Sequence, residues 1–133
     1  MSDINSEELS RLEVALISAW SKETSSDSQN WFPENGAWGQ CAVTALIVND
    51  YFCGKIVWAN VTLIDGRNIS HYFNYINGVE VDLTRRQFPS GAVIPAGVDK
   101  TKGFSTTREY VLSYQPTKER YELLKERVKN ALQ

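Results

Sequence analysis

The sequence predicts an α+β fold in which a central buried helix packs on an antiparallel β-sheet, with further helices at the N- and C-termini. The run from Ala42 to Phe52 is apolar at most positions, which is typical of a helix buried on nearly all sides. Two hairpin signals, Asp65-Gly66 and Asn77-Gly78, separate three strand-like segments. Both ends of the chain show helical periodicity.

The chain has 133 residues, which predicts a single domain from residue 1 to residue 133. Its hydrophobic content of 42% and charged content of 23% are ordinary for a globular protein. The formal net charge is −2, so we expect no nucleic-acid partner and no membrane partner. The stretch from Met1 to Glu8 lacks the apolar core of a secretory signal, and two unpaired cysteines suit a reducing compartment. We therefore expect a cytoplasmic protein.

The first helix is expected from about Glu7 to Trp20, with Asn5 or Ser6 as its N-cap. A loop from Ser21 to Gly39 follows and ends where the central helix starts, a position at which loops often carry function. The apolar face of the first helix is predicted to consist of Leu9, Leu12, Leu16 and Ala19, with Val14 and Ile17 beside them.

Cys41 is expected in the first turn of the central helix, which should end near Gly54. Free backbone N–H groups and the positive end of the helix dipole favour a thiolate there, as in nucleophilic cysteines. The alternative is that Cys41 only fills space, as buried cysteines usually do. The position of Cys41 at the polar N-terminal end of a helix favours its interpretation as a nucleophile. Cys53, beside Phe52 at the far end of the helix, is interpreted as a packing residue. About 18 Å of helix separates Cys41 from Cys53, which excludes a disulfide between them.

Three strands are expected after this helix, over residues 55–64, 67–76 and 79–84. If the Asn77-Gly78 turn has two residues, Asp82 lies diagonally beside His71 on one face of the sheet, about 7 Å away or less. The carboxylate can then orient the imidazole of the only histidine in the chain. Asn74 points to the opposite face by alternation, so it is not chosen.

Alternatives remain for the partners of His71. Asn60 falls opposite His71 across the Asp65-Gly66 turn and would replace Asp82 if the second hairpin contained a bulge. His71 by itself is also compatible with a buried core histidine. A zinc site formed by Cys41, His71 and Asp82 lacks a close pair of ligands. We therefore expect neither a metal nor a cofactor.

The residues before Cys41 are candidates for substrate binding. Trp31 and Trp38 are most simply core anchors, and the alternative is that an indole N–H near the thiol donates to a developing oxyanion. The backbone N–H of Cys41 and the side chain of Gln40 are further candidates for that oxyanion.

The C-terminal part begins with residues 89–103, a segment with two prolines and three glycines that is either a lid over the thiol or a surface loop. The Thr106 to Glu109 sequence has the form of a capping box and predicts a short helix through Leu112, with a strand as the alternative. A last helix is expected from Pro116 to Leu132, with Tyr121, Leu124, Val128 and Leu132 on its apolar face.

Several of these segments resemble the YunG-like family of small bacterial proteins. The likeness covers most of the chain from Trp20 to Phe88 and implies a fold and a Cys, His, Asp arrangement without a substrate. The segments that carry it are Ala19 to Thr24, Gly39 to Leu46, His71 to Asn74 and Val81 to Phe88.

The Gly39-Gln40-Cys41 sequence before an apolar helix also resembles the nucleophile motif of transglutaminases. A cysteine on a helix, followed by His and Asp on strands, is similar to papain-like and arylamine acetyltransferase cores. Ala42 departs from the aromatic residue usual after the transglutaminase cysteine, and the spacing from His71 to Asp82 is that of a tight hairpin. The resemblance implies a papain-like or transglutaminase-like core.

Together these features predict thiol-dependent acyl chemistry on an amide, ester or thioester of a small molecule or peptide. Cys41 would be the nucleophile, His71 the base and acid, and Asp82 the residue that orients the imidazole. The contrasting hypothesis is a binding domain that keeps this fold and does no chemistry.

Overall fold

The computed structural model describes residues 5–133, and within them the chain forms an α+β fold of four α-helices and one three-stranded antiparallel sheet. Residues 1–4 lie outside the described part, and with them half of the stretch from Met1 to Glu8 in which a secretory signal was sought. The helices are α1 (Ser6–Ala19), α2 (Cys41–Phe52), α3 (Thr107–Leu112) and α4 (Gln115–Ala131). The strands, in their spatial order, are β1 (Lys55–Thr62), β2 (Asn68–Ile76) and β3 (Val79–Val81).

Helix α1 begins after Asn5, whose side-chain oxygen accepts the backbone N–H groups of Glu7 and Glu8, each at 3.0 Å. Its buried face is narrower than predicted, because Val14 is 68% exposed and Ile17 is 44% exposed. Both lie outside the stripe that α1 presents to the core, so their assignment to the apolar face is wrong. The residues that do form the stripe are Leu12, Ala15, Leu16 and Ala19.

Helix α2 is buried along most of its length, as predicted, and its first residue is Cys41. It ends where Cys53 and Gly54 adopt positive φ angles of 62° and 70°. A Cβ at Gly54 would lie 2.4 Å from the carbonyl oxygen of Tyr75, so only glycine fits there. Cys53 is exposed, and the interpretation of this residue as packing is wrong because it lies past the helix end rather than against the core.

The two hairpins differ in their turns. The second is the predicted two-residue turn, in which Asn77 and Gly78 both have positive φ and Asn74 pairs with Val81. The first is a three-residue turn closed by a bond of 2.8 Å between the N–H of Leu63 and the carbonyl of Arg67. The extra residue moves the register by one, so His71 pairs with Ala59. The expected pairing of Asn60 with His71 is therefore wrong.

The sheet has two covered faces. One face packs on α2 and contributes Ile56, Ile76 and Val81 to the main core. The other face carries a small cluster of Val57, Ala59 and Phe73.

Residues 89–103 cover this second face. The segment bonds to the free edge of β1 through two bridges, Trp58 with Val98 and Thr62 with Val93. A Cβ at Gly97 would lie 2.3 Å from the Val57 side chain, so the backbone passes in close contact with the cluster.

The C-terminal helices complete the core against α1 and α2. Thr106 caps α3 by accepting the N–H of Glu109 at 3.1 Å, so this segment is a helix and not a strand. Arg108 on α3 bonds to Asp50 on α2 at 2.8 Å, and Tyr121 on α4 bonds to the same carboxylate at 2.5 Å. No helix within residues 5–133 combines the length and the apolar character that crossing a membrane requires.

Candidate active site

His71 is held on β2 by a carboxylate and two aromatic rings. Its Nε2 lies 2.6 Å from Oδ2 of Asp82, which follows the last residue of β3. Its ring stacks on Phe73 at a centroid distance of 5.2 Å and meets the edge of Phe88 at 4.9 Å. The imidazole is fully buried, so its orientation is fixed.

The surroundings of His71 favour the imidazolium form. Burial lowers its pKa, but the hydrogen bond to Asp82 and the neighbouring Cys41 side chain outweigh this effect and raise the pKa to about 9. Nε2 is occupied by Asp82, while Nδ1 is buried and has no hydrogen-bond partner within residues 5–133. The thiol therefore lies close enough to influence the ring without a well-formed hydrogen bond to Nδ1.

Cys41 lies at the edge of β2. β3 pairs with β2 only from Asn74 to Ile76, so within the described residues no third strand covers this edge nearer the start of β2. Cys41 interacts electrostatically with both His71 and Tyr72, consecutive residues whose side chains leave the strand on opposite faces. The edge is the position from which one thiol can reach both.

The half-buried Cys41 lines a cleft of about 520 Å³. Trp38 also lines this cleft, which we therefore call the Trp38 cleft. Gly39, Gln87 and Ser70 from β2 line this cleft together with Cys41. Charged side chains also line it, namely Asp27 and Arg67. A small molecule or a short peptide segment fits a cleft of this volume.

Gln40 and the two tryptophans have other partners. The Gln40 side chain is fully buried, where its oxygen accepts the Thr24 hydroxyl at 2.8 Å and its amide donates to the Ser21 carbonyl at 2.9 Å. The indole N–H of Trp38 donates to Asp27 at 3.0 Å, and that of Trp31 donates to the Gly36 carbonyl at 2.9 Å. These bonds fix the loop before α2 and leave none of the three groups aimed at the thiol.

Asn60 is not brought to the site, because it is exposed and pairs with Ser70. Gln87 was missed by sequence reasoning, although its side chain accepts the Gly39 N–H at 3.1 Å and donates to the Thr84 carbonyl at 3.1 Å. No periodicity or motif marks such a loop residue. Within residues 5–133, no group of three or more His, Cys, Asp and Glu side chains is arranged to hold a metal ion.

The pKa of His71 can be measured directly, because the chain contains a single histidine. We expect the imidazole NMR signals to titrate with a midpoint near 9, well above the ordinary histidine pKa of about 6.5. Replacing Asp82 by Asn should lower this midpoint, since the carboxylate raises the pKa both by its hydrogen bond and by its charge. A midpoint unchanged in Asp82→Asn would contradict the assigned pairing.

Comparison with known proteins places the chain in a sequence family. The YunG protein family model matches residues 8–133. A relative from Bacillus subtilis (strain 168), named "Uncharacterized protein YunG", is 36% identical over 80 residues. That alignment covers 60% of this chain and 63% of the relative, so the match spans less than two thirds of the relative's length. No solved structure shows a significant match.

Proposed function

We propose that this chain, which belongs to the YunG protein family, is a thiol-dependent acyl hydrolase or acyltransferase. One observation carries the proposal. The imidazole of His71 is bonded through Nε2 to Asp82 at 2.6 Å, and the same ring interacts with the thiol at the start of α2. A nucleophile, a base and a group that orients the base, in that order, form the constellation used for acyl transfer.

In the proposed reaction, the proton of the Cys41 thiol is held on Nδ1 of His71, the nitrogen that Asp82 leaves available, so the attacking sulfur is a thiolate paired with an imidazolium. The sulfur attacks the carbonyl carbon of an amide, ester or thioester, and a carbon–sulfur bond forms. The bond to the leaving group then breaks, and the leaving group takes the proton from the imidazolium. Water or a second acceptor, deprotonated by His71, finally attacks the thioester and releases the acyl group and the thiol.

The negative charge on the attacked oxygen is assigned to the backbone N–H of Cys41. This N–H belongs to the first turn of α2, where the N–H groups have no partner within the helix. We do not assign it to Gln40, because both ends of that amide are bonded to Ser21 and Thr24.

The order of the elements supports a papain-like or transglutaminase-like core. Cys41 starts the buried helix, and His71 and Asp82 follow on β2 and directly after β3. We further propose that the protein acts in the cytoplasm, where reducing conditions keep Cys41 as a thiol.

A second candidate function is a binding domain without chemistry. The complete burial of His71 between Phe73 and Phe88 favours it, because a buried ion pair with Asp82 also serves as a structural link. The two candidates differ in whether the thiol of Cys41 forms a covalent intermediate.

The experiment is a search for an acyl-enzyme. The protein is incubated with a panel of activated esters and thioesters, and adducts are mapped by intact-mass and peptide mass spectrometry. We expect a transient acyl group on Cys41 that is absent from Cys41→Ala and retained in Cys53→Ala. Turnover by Cys41→Ala as fast as by the unmodified protein would contradict the proposal.

A further inference from the structure

A second cavity lies next to the start of α2. It has a volume of about 370 Å³ and is bordered by Ala42, the residue after Cys41. Three tyrosines from two different parts of the chain form its walls, namely Tyr72, Tyr110 and Tyr114. We call it the tyrosine pocket.

The packing of β2 on α2 places Tyr72 opposite the first turn of the helix. Asn74 donates a hydrogen bond of 2.9 Å to the carbonyl of Ala45, which lies one helical turn after Cys41. Tyr72 precedes Asn74 by two residues and shares its face, a step of about 6.6 Å along the strand. The step from Ala45 back to Cys41 is about 6 Å along the helix. Tyr72 therefore lies level with the thiol.

The electrostatics agree with this placement. Burial, followed by the neighbouring Tyr110 and Cys41, raises the pKa of Tyr72 to about 12. The phenol therefore stays protonated and neutral at every pH at which the protein would work. The ring of Tyr110 also packs near the ring of Phe104, at a centroid distance of 6.2 Å.

The Trp38 cleft and the tyrosine pocket differ in the charge of the side chains that line them. The Trp38 cleft includes Asp27 and Arg67, whereas the side chains that line the tyrosine pocket are all uncharged. Aromatic walls with neutral hydroxyl groups suit an uncharged ring, which can stack on a tyrosine or meet its edge. A charged group placed there would lose its hydration without gaining an opposite charge.

We propose that the tyrosine pocket is a substrate subsite that binds an uncharged aromatic group next to the carbonyl attacked by Cys41. The proposal deepens the function proposed above and rests on it, since it assigns a substrate class to the same thiol. The remainder of the substrate would extend from the thiol into the Trp38 cleft.

The test uses alkylating probes, so that no substrate needs to be known. N-benzyl iodoacetamide carries a neutral ring, its para-carboxylate derivative carries the same ring with a charge, and iodoacetamide carries neither. Cys53 is exposed and serves as the reference thiol in the same molecule. We expect the rate ratio of the benzyl probe to iodoacetamide to be about tenfold higher at Cys41 than at Cys53. The carboxylate should remove most of this preference.

Tyr114→Ala provides the structural test, because Tyr114 is 63% exposed and its removal should leave the fold intact. It should reduce the preference for the benzyl probe at Cys41 by about threefold or more. Tyr51→Ala is the matched control, since Tyr51 is 49% exposed on α2 but lies at the opposite end of that helix from Cys41. It should leave the preference unchanged.

The outcomes separate this proposal from the function on which it rests. Rapid labelling of Cys41 by iodoacetamide with the same probe ratio as Cys53 would overturn the subsite and leave the nucleophile assignment standing. Equal effects of Tyr114→Ala and Tyr51→Ala, or no loss on adding the carboxylate, would also overturn the subsite. A Cys41 inert to all three probes while Cys53 reacts would overturn both proposals.

Discussion

Replacing His71 by Gln is expected to slow the alkylation of Cys41 by iodoacetamide at pH 7 by about thirtyfold, because an ordinary thiol with a pKa of about 8.5 is only about 3% ionised at that pH. With its pKa raised to about 9, His71 is an imidazolium at pH 7 and stabilises a thiolate beside it. Gln cannot carry that charge. Its amide can still donate to Asp82, so the buried carboxylate keeps a partner and the fold should survive.

The measurement is the rate of labelling at each cysteine, followed by mass spectrometry. In the unmodified protein Cys41 should react well before Cys53, although Cys53 is the more exposed of the two. His71→Gln should change the rate at Cys41 and leave that at Cys53 as it was. Equal rates at the two cysteines before the substitution would favour a Cys41 that only fills space.

Replacing Asp82 by Ala should slow the same reaction about tenfold at pH 7, because burial should then bring the pKa of His71 below pH 7, where each further unit lowers the amount of imidazolium about tenfold. The hydrogen bond that His71 makes to Asp82 is the largest effect that raises the pKa of His71, and burial opposes it. Without the carboxylate, burial favours the neutral ring and the thiolate loses its partner. The rate is measured after circular dichroism has shown that the variant is folded.

Asn74→Ala is the matched control for Asp82→Ala. Its side chain lies on the face of β2 that packs on α2 and bonds to Ala45, away from the imidazole. Removing it deletes one buried hydrogen bond to a carbonyl that keeps its partner within α2, which should lower the free energy of unfolding by about 0.5–1.5 kcal/mol with little effect on the labelling rate. A slower rate in Asn74→Ala with an unchanged rate in Asp82→Ala would refute the proposed assignment of Asp82.

The second hairpin and the central helix could be predicted from the sequence because their signals are local. Asn77 and Gly78 both accept positive φ, which fixes a two-residue turn and the register across it. That register placed Asp82 beside His71, and the structure brings the two within 2.6 Å. The apolar run after Cys41 likewise predicted a buried helix with the thiol in its first turn.

Other features depended on contacts between distant parts of the chain. Asp65-Gly66 is compatible with turns of two or three residues, and the three-residue form moved Asn60 away from His71. The partners of Gln40 and Trp38 come from the folded loop before α2, so their residue types alone did not reveal that these groups are occupied.

The sequence by itself determined the helices, the strands and the residue types at the candidate site, because backbone preference and apolar periodicity act over a few residues. Only the tertiary structure decided which nitrogen of His71 bonds to Asp82, which residues line each cavity and how far the pKa of the imidazole is raised. Burial and neighbouring charges set a pKa, and both are supplied by residues far apart in the chain. The same holds for the tyrosine pocket, which exists only where α3 and β2 meet the first turn of α2.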